Sequence, residues 1–363
     1  MKFVDEFRNN EYSKKLVEKL NNISKEKMNI MEVCGTHTMS IFRYGIRDVL
    51  PSNVNLISGP GCPICVTPQS YIDMALTLCE EEGTIIATFG DMMKVPGKKG
   101  SLSKKKSEGA DIRIVYSPMD CLEMAKQNPW KKVVFLSVGF ETTAPMTAVT
   151  AMEAKKRNIT NLLFFTAHKI VPPVMNALVK DKDLKIDGFL LPGHVSAIIG
   201  TKPFEFLSKD YNISGVVTGF EPLDILQGLI TLVSLISKKD YKIENEYKRI
   251  VKTDGNSNAE KYLNKAFNIV DSSWRGIGRI PKSGLEFNSE YEDFDALKYF
   301  KINYEEYDGS PGCKCGEILK GKIKPTDCQL FKKLCTPENP VGSYMVSSEG
   351  TCAAYYRYHK DIT

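Results

Sequence analysis

The sequence predicts an α/β protein with two Rossmann-like α/β domains, whose strand C-terminal edges face each other across a cleft, and a small loop-rich C-terminal domain. Three observations support this prediction. Short apolar segments alternate with helical patterns along the first two thirds of the chain. Polar residues directly follow several of these segments, and half of the ten cysteines lie beyond residue 312. Such alternation is typical of layered folds with parallel sheets.

Eight apolar segments are predicted as strands because they are rich in β-branched residues and are bounded by turn residues. They cover residues 28–33, 54–58, 84–89, 112–116, 133–138, 162–166, 188–191 and 215–218. Hydrophobic periodicity predicts helices over residues 10–27, 71–81, 144–156, 172–179 and 259–267. The most apolar helical stretch, 223–236, is too short to span a bilayer and predicts a buried core helix.

The eight strands could close one barrel or form two sheets, and we favour two sheets because two facing edges would enclose a cleft. Residues 1–27 are expected to form a helix that packs on the C-terminal domain. Residues 28–118 and 119–238 form the two predicted α/β domains, and residues 239–363 form the loop-rich domain. The end of that domain has little hydrophobic periodicity, so it needs a metal, disulfides or a host domain to order it.

Composition narrows the class of protein. The 363 residues carry a net charge of +5, from 49 basic and 44 acidic side chains spread along the chain, which gives little reason to expect nucleic acid as a partner. The N-terminus lacks the apolar segment of a secretory signal, and no membrane partner is indicated, so we expect a cytoplasmic protein. Cysteines in that reducing compartment are more often ligands or redox thiols than structural disulfides.

The first group of chemical residues is Cys34-Gly35-Thr36-His37, directly after the first predicted strand. A helix is expected to begin there, and its N-terminal dipole favours a Cys34 thiolate that could bind a soft metal or attack an electrophile. His37 could hydrogen-bond a substrate or donate a proton. A buried cysteine next to a core histidine explains this segment equally well.

The second group is Cys62-Pro63-Ile64-Cys65, in a Gly/Pro-rich loop after another strand. The Cys-x-x-Cys spacing places two sulfurs within disulfide or chelating reach, and in an α/β protein of this compartment it favours a redox dithiol. Half of a zinc site is the rival interpretation, since Cys34 and His37 could complete it.

The third group lies in the C-terminal segment. Four cysteines can hold a [4Fe–4S] cluster or a structural zinc, namely Cys313, Cys328, Cys335 and Cys352, with Cys315 as a close extra. Zinc ribbons usually pair their ligands as Cys-x2-Cys, and this segment has no such pair. The spacing therefore favours the iron–sulfur interpretation.

A fourth group consists of polar residues after predicted strands. In parallel sheets the ligand crevice lies at the carboxyl ends of the strands. Cys34, Cys62 and several polar residues occupy such positions, so we predict Glu141, His194 and Glu221 as cleft residues, with Asp91 and His168 nearby in the pattern.

Together these segments resemble the HypD family of hydrogenase maturation proteins over nearly the whole chain. The segments that carry the resemblance include MEVCGTHTMSIFRYGI, ISGPGCPICVTP, ATFGDMMKVPG, SVGFETTAPMTA, FFTAHKIVPP, LPGHVSAIIG and VTGFEPLDIL. The cysteine-rich segment that begins at Gly312 completes them.

The resemblance implies a scaffold and redox component for assembling the Fe(CN)2CO unit of [NiFe] hydrogenase. It implies that Cys313, Cys328, Cys335 and Cys352 ligate a [4Fe–4S] cluster and that Cys62 and Cys65 relay electrons from it toward Cys34. Cys34 would bind the iron ion together with HypC, and HypE would donate cyanide; the hydrogenase large subunit is an indirect partner. We add the hypothesis that His37 donates a hydrogen bond to the iron-bound cyanide or the leaving thiolate.

Two other functions use the same residues. An iron–sulfur thiol–disulfide oxidoreductase would need the Cys62/Cys65 pair and the cluster, but no third cysteine such as Cys34. A zinc-stapled adaptor protein would need only the C-terminal cysteines and would be colourless.

Overall fold

Eleven strands occur in the computed structural model, which describes residues 5–302, 307 and 312–359. They are β1 (Met28–Glu32), β2 (Val54–Ser58), β3 (Thr84–Thr88), β4 (Ile112–Ile114), β5 (Lys132–Gly139), β6 (Leu162–His168), β7 (Gly188–Pro192), β8 (Ser214–Thr218), β9 (Ile243–Asn245), β10 (Phe267–Trp274) and β11 (Gly278–Phe287). All eight predicted strands are confirmed, with ends that shift by a residue or two.

The α-helices alternate with these strands. They are α1 (Asn10–Ile23), α2 (Gly35–Arg43), α3 (Ile46–Val49), α4 (Pro63–Val66), α5 (Gln69–Leu78), α6 (Leu102–Ser107), α7 (Asp120–Gln127), α8 (Ala144–Lys156), α9 (Val171–Lys180), α10 (Gly193–Ile199), α11 (Phe206–Tyr211), α12 (Pro222–Lys238), α13 (Ser257–Ala266), α14 (Ala296–Tyr299), α15 (Cys315–Leu319) and α16 (Thr351–Tyr358). The predicted helices correspond to α1, α5, α8, α9, α12 and α13. No helix in the described ranges combines the length and apolarity needed to cross a bilayer.

The strands form two separate parallel sheets and one antiparallel hairpin. The first sheet has the order β2-β1-β7-β8-β9, and the second has the order β4-β3-β5-β6. The hairpin pairs β10 with β11. The prediction of two mostly parallel sheets is therefore confirmed. Helices cover the apolar strands of both sheets, as parallel sheets require.

The sheets do not follow the predicted division at residue 118. In the first sheet β1 pairs with β7, where Ile30 lies beside Gly188. The chain leaves this sheet after β2, builds all of the second sheet and then returns. Alternation of strands and helices indicates that strands are parallel, but it does not specify which strands are neighbours.

The prediction that the N-terminal helix packs on the C-terminal domain is wrong. Helix α1 packs on α12, and its buried Leu16 and Leu20 join Leu226 and Leu229 of α12 in one hydrophobic cluster. An amphipathic helix covers whichever apolar surface lies nearest, and here that surface belongs to the first sheet.

Residues 239–363 also do not form one body. Strand β9 extends the first sheet, the hairpin packs with β11 on β6 and α9, and α16 packs on α2. The cysteine-rich segment thus takes its core from both sheets, as expected for a segment that needs a host.

A buried ion pair lies at the carboxyl ends of β1 and β2 in the first sheet. Glu32, at the end of β1, is fully buried, and its Oε1 accepts hydrogen bonds from Arg47 Nη2 at 3.1 Å and Ser58 Oγ at 2.5 Å. Burial raises the pKa of Glu32 above its ordinary value, while Arg47 opposes that shift. The pair therefore ties α3 to β1 and β2 at the cost of a desolvated carboxylate.

Replacing Arg47 with Met should destabilise the protein by about 3 kcal/mol at pH 8, because it leaves a buried carboxylate unpaired. Without Arg47 the pKa of Glu32 rises further. A carboxyl group whose pKa is raised on folding is neutral at low pH and becomes charged as the pH rises through its folded pKa. The loss of stability in Arg47→Met should therefore be smaller at pH 5.5. Chemical denaturation at both pH values measures this, with exposed Arg43→Met as the control. Equal losses at the two pH values would show that Arg47 acts through packing alone.

Candidate functional site

Cys34 lies where β1 ends and precedes the first residue of α2. The residue is 7% exposed, and burial, together with the Glu349 carboxylate, raises the pKa of its thiol to about 12. The backbone N–H groups of Thr36 and His37 lower the pKa, but by less. The predicted helix start is confirmed, whereas the expectation of a favoured thiolate is wrong for the unliganded protein, because desolvation outweighs the helix N-terminus.

Glu349 reaches Cys34 from the C-terminal segment. Thr36 Oγ1 donates a hydrogen bond to Glu349 Oε1 at 2.7 Å. The approach needs glycine at position 35, since a Cβ there would lie 2.5 Å from Glu349 Cβ. Burial raises the pKa of Glu349, and the neighbouring Asp91 carboxylate raises it further.

The same segment joins the carboxyl edges of the two sheets. Asp91 follows β3 of the second sheet, and Ser347 Oγ lies 3.5 Å from its Oδ2. Glu349, two residues on, touches the residues that follow β1 of the first sheet. The edges therefore face a common region, as the sequence predicts.

Cys62 and Cys65 form a disulfide, with their Cα atoms 5.2 Å apart. Both residues are buried, and α4 begins between them. The loop sits directly against Cys34, because the Gly35 N–H donates to the Gly61 carbonyl at 2.9 Å. A Cβ at Gly61 would lie 2.4 Å from backbone atoms of Cys34, so only glycine permits this approach.

Residues 343 and 344 connect the disulfide to the C-terminal cysteines. Cys65 Sγ lies 3.9 Å from the Ser343 carbonyl oxygen, and Ser343 Oγ donates to the Cys65 carbonyl at 3.0 Å. The backbone N–H of the next residue, Tyr344, lowers the pKa of the Cys315 thiol. The sulfurs of Cys313 and Cys315 are 2.9 Å apart.

Two of the C-terminal cysteines, Cys313 and Cys315, contact Gly342. A Cβ at this position would lie 2.4 Å from Cys315 Sγ and 2.6 Å from Cys313 Sγ. The hydrogen bond with Cys315 and then burial raise the pKa of Cys313. Cys352, at the start of α16, interacts with Cys315, and Cys335 Sγ accepts the Val341 N–H at 3.4 Å.

These residues fit an iron–sulfur cluster. The sulfurs of Cys313 and Cys315 meet at Gly342, Cys352 interacts with Cys315, and the buried hydroxyl of Tyr344 has no hydrogen-bond partner among the described residues. Among the described residues no three Cys, His, Asp or Glu side chains are grouped around one ion. Thiols are the ligands of both [4Fe–4S] clusters and structural zinc, so the thiols of Cys313, Cys315 and Cys352 are chemically suited to either.

His37 has a hydrogen-bond partner within the protein in this unliganded structure, and its predicted bond to an iron-bound cyanide or a leaving thiolate stays a prediction. It is fully buried, its Nε2 donates to the Gly219 carbonyl at 2.9 Å, and its Nδ1 has no partner. Burial lowers the pKa of His37 to about 4, so the ring is neutral. His37 ties α2 to the turn after β8.

The three cleft candidates separate into two places. The ring of Phe220 stacks on the exposed ring of His194, with centroids 4.0 Å apart, and its centroid lies 4.7 Å from that of His37. Half-buried Glu221 forms an ion pair with Arg8. These residues line the first sheet's edge near Cys34.

Glu141 belongs to the second sheet and is elsewhere. Its Oε1 accepts the Val171 N–H at the start of α9 at 2.8 Å, and burial raises its pKa to about 7. This geometry makes Glu141 a helix cap in the first instance.

Comparison with known proteins shows the family to which this chain belongs. The family model HypD, described as the hydrogenase formation hypA family, matches residues 11–359. The chain belongs to the HypD family. It is 45% identical to the hydrogenase maturation factor HypD of Escherichia coli over 99% of each chain. Identity is 44% with a putative hydrogenase expression/formation protein of Methanocaldococcus jannaschii, over 96% of this chain and 97% of that one. It is 43% with HypD of Cupriavidus necator, over 100% and 99%.

Membership of the HypD family was visible in the sequence, but three site residues were not. Glu349, Arg275 and Tyr344 all reach the cysteines from loop or hairpin segments. Arg275 donates its Nε–H to the Thr67 carbonyl at 2.7 Å, next to the Cys62–Cys65 loop. The sequence could have indicated these three residues only by their neighbours, since each lies within a few residues of a cysteine, a tryptophan or a glycine.

Glu349→Gln should make Cys34 more reactive, because removing the carboxylate charge lowers the raised pKa of the thiol. At a fixed pH between 7 and 9 the rate of Cys34 alkylation by iodoacetamide should increase several-fold, about tenfold for each unit of pKa. Peptide-resolved mass spectrometry measures the rate at Cys34 alone. Glu338→Gln, on an exposed part of the same segment, should leave it unchanged. An unchanged rate in Glu349→Gln would remove Glu349 from the control of this thiol.

Proposed function

We propose that this chain is the scaffold and redox component on which the Fe(CN)2CO unit of [NiFe] hydrogenase is assembled. The relatives' names, hydrogenase maturation factor and hydrogenase expression/formation protein, support the general role. The proposed activity is a redox-assisted transfer of cyanide to iron rather than turnover of a small metabolite.

One observation carries the proposal, namely the unbroken series of contacts among three cysteine groups. Cys34 lies against Gly61, which precedes the Cys62–Cys65 disulfide. The disulfide touches Ser343, and the preceding Gly342 packs on the sulfurs of Cys313 and Cys315 in the C-terminal group. A metal-binding thiol, a dithiol and a cluster would serve a reductive assembly step when they are this close.

The [4Fe–4S] cluster would be held by Cys313, Cys328, Cys335 and Cys352. The position of Cys315, with its sulfur 2.9 Å from Cys313, makes it a candidate to replace Cys313. The cluster would supply electrons one at a time from an external one-electron donor. The chain's own part is to exclude water from the thiols and to hold Cys65 against Ser343.

Cyanide transfer is reductive, and the dithiol can supply the electron pair. HypE would present cyanide as a thiocyanate, R–S–CN. The reduced Cys62/Cys65 pair gives two electrons and two protons, the S–CN bond breaks, and R–SH, cyanide on iron, one remaining proton and the Cys62–Cys65 disulfide result. The disulfide seen here corresponds to that oxidised state. Its reduction by two electrons through the cluster would restore the dithiol.

Cys34 would hold the iron substrate together with a cysteine of HypC. Cyanide and carbon monoxide favour low-spin iron, for which a thiolate is a suitable soft anchor. The pKa of about 12 means that Cys34 is protonated until a metal binds and displaces the proton. Glu349 lies beside it and is placed to accept that proton.

Anaerobic purification followed by iron, zinc and labile-sulfide analysis tests the cluster. The proposal predicts about four irons and four sulfides per chain and a brown protein. Zinc without sulfide would favour the adaptor function instead.

Replacing Cys34 with Ala should separate the two metal sites. After co-production with HypC and HypE, the variant should keep its cluster but lose the infrared bands of iron-bound cyanide and carbon monoxide, because the iron substrate has lost its anchor. Cys79→Ala is the matched control, since this cysteine is partly buried at the end of α5 and its thiol donates to the Ala75 carbonyl at 3.2 Å. Bands that persist in Cys34→Ala would place the iron unit on another residue.

A further inference from the structure

The hydroxyl of Tyr344 is a buried polar group without a partner. Tyr344 is 1% exposed, and its hydroxyl makes no hydrogen bond with any described residue. A buried unsatisfied hydroxyl destabilises the folded state, so a folded protein seldom keeps one without use.

Its surroundings indicate what the hydroxyl faces. Tyr344 lies in a short 3-10 turn, Ser343–Met345, that packs on α4 and α16. The ionisable groups that act on its hydroxyl are the thiols of Cys315 and Cys352 and the guanidinium of Arg275. The two thiols belong to the C-terminal cysteine group, so a cluster bound there would offer the hydroxyl a sulfur acceptor.

Arg275 approaches the same place from the turn between β10 and β11. It is 4% exposed, and its backbone N–H donates to the Val66 carbonyl at 2.8 Å. The turn touches the cysteine-rich segment as well, since a Cβ at Gly276 would lie 2.3 Å from Gly316 Cα. Stacking of Trp274 on Phe140 at 5.9 Å anchors this turn.

The guanidinium therefore lies between the dithiol loop and the cysteine group. Its Nε–H donates to the Thr67 carbonyl at 2.7 Å, and its positive charge acts on Cys313 as well as on Tyr344. Reduction adds one negative charge to a cluster. A buried positive charge and a hydrogen-bond donor both stabilise that added charge, so both raise the reduction potential.

We propose that Tyr344 and Arg275 set the reduction potential of the cluster, Tyr344 by donating its hydroxyl hydrogen to a cluster or ligand sulfur and Arg275 by its buried charge. This inference rests on the proposed cluster. Both are positioning residues, because they act on the cluster and not on the iron substrate.

Tyr344→Phe gives the sharpest test, since it removes only the hydroxyl. Without the cluster the variant should be as stable as the wild-type protein or more so, because an unsatisfied group is gone. With the cluster, reduction should become about tenfold less favourable, which for one electron is a midpoint potential about 59 mV more negative. A redox titration followed by electron paramagnetic resonance measures this potential, and Tyr358→Phe on α16 is the control.

Arg275→Gln should shift the potential in the same direction, whereas Arg275→Lys should keep most of the wild-type value because it retains the charge. Arg279→Gln, an exposed arginine of the same hairpin, should have no effect. If Arg275→Gln does not take up the cluster, the midpoint potentials of Arg275→Lys and Tyr344→Phe test the inference.

Wild-type potentials in Tyr344→Phe and Arg275→Gln would overturn the inference. Loss of the cluster in both Arg275 variants, with an unchanged potential in Tyr344→Phe, would also overturn it and assign Arg275 to structure alone. Failure of the proposed function is a separate result, because the wild-type protein would then contain no iron and sulfide to titrate.

Discussion

The site depends on the docking of one short segment, residues 342–352, between the carboxyl edges of the two sheets. Within it Gly342 packs on the sulfurs of Cys313 and Cys315, Ser343 contacts Cys65, and Glu349 contacts Thr36 beside Cys34. Glycines permit these approaches, since a Cβ at Gly350 would lie 2.3 Å from the Tyr344 carbonyl oxygen. Cys34 and the Cys62–Cys65 loop contact each other through Gly35 and Gly61, and this segment joins the C-terminal cysteines to both of them.

Burial is the physical condition that these thiols share. It raises the pKa of Cys34 to about 12 and contributes to the raised pKa of Cys313 and Cys315. A neutral buried thiol is unreactive toward stray electrophiles, and only a metal ion makes its thiolate favourable. The Cys34 thiol is thus unreactive until a metal binds, which suits the proposed assembly of an iron unit that carries cyanide.

The sequence predicted the strands well because each is a short apolar run bounded by turn residues. It could not predict that β1 pairs with β7, because the composition of parallel strands does not specify which strands are neighbours in the sheet. The sequence does not indicate the β10–β11 hairpin, for a local reason: β10 contains the polar residues Asn268 and Asp271, and β11 contains Pro281 and Gly284, which argue against a strand.

The candidate site was predicted only as far as its cysteines. Cys34, Cys62 and Cys65 follow strands, and a parallel sheet places such residues at one edge. Glu349 and Tyr344 come from a loop whose path depends on docking and not on local pattern. The error about the Cys34 thiolate has the same origin, because the helix N-terminus is visible in the sequence and the burial that outweighs it is not.

The central claim is that electrons reach the Cys62–Cys65 disulfide through the C-terminal cysteine group. The most direct measurement is anaerobic reduction with reduced methyl viologen, followed by alkylation and mass spectrometry of the Cys62–Cys65 peptide. Cluster-loaded wild-type protein and a cluster-free Cys352→Ser variant are compared. The account predicts that free thiols at Cys62 and Cys65 accumulate rapidly only in the loaded protein. Equal rates in the two proteins, or an intact disulfide beside a reduced cluster, would contradict it.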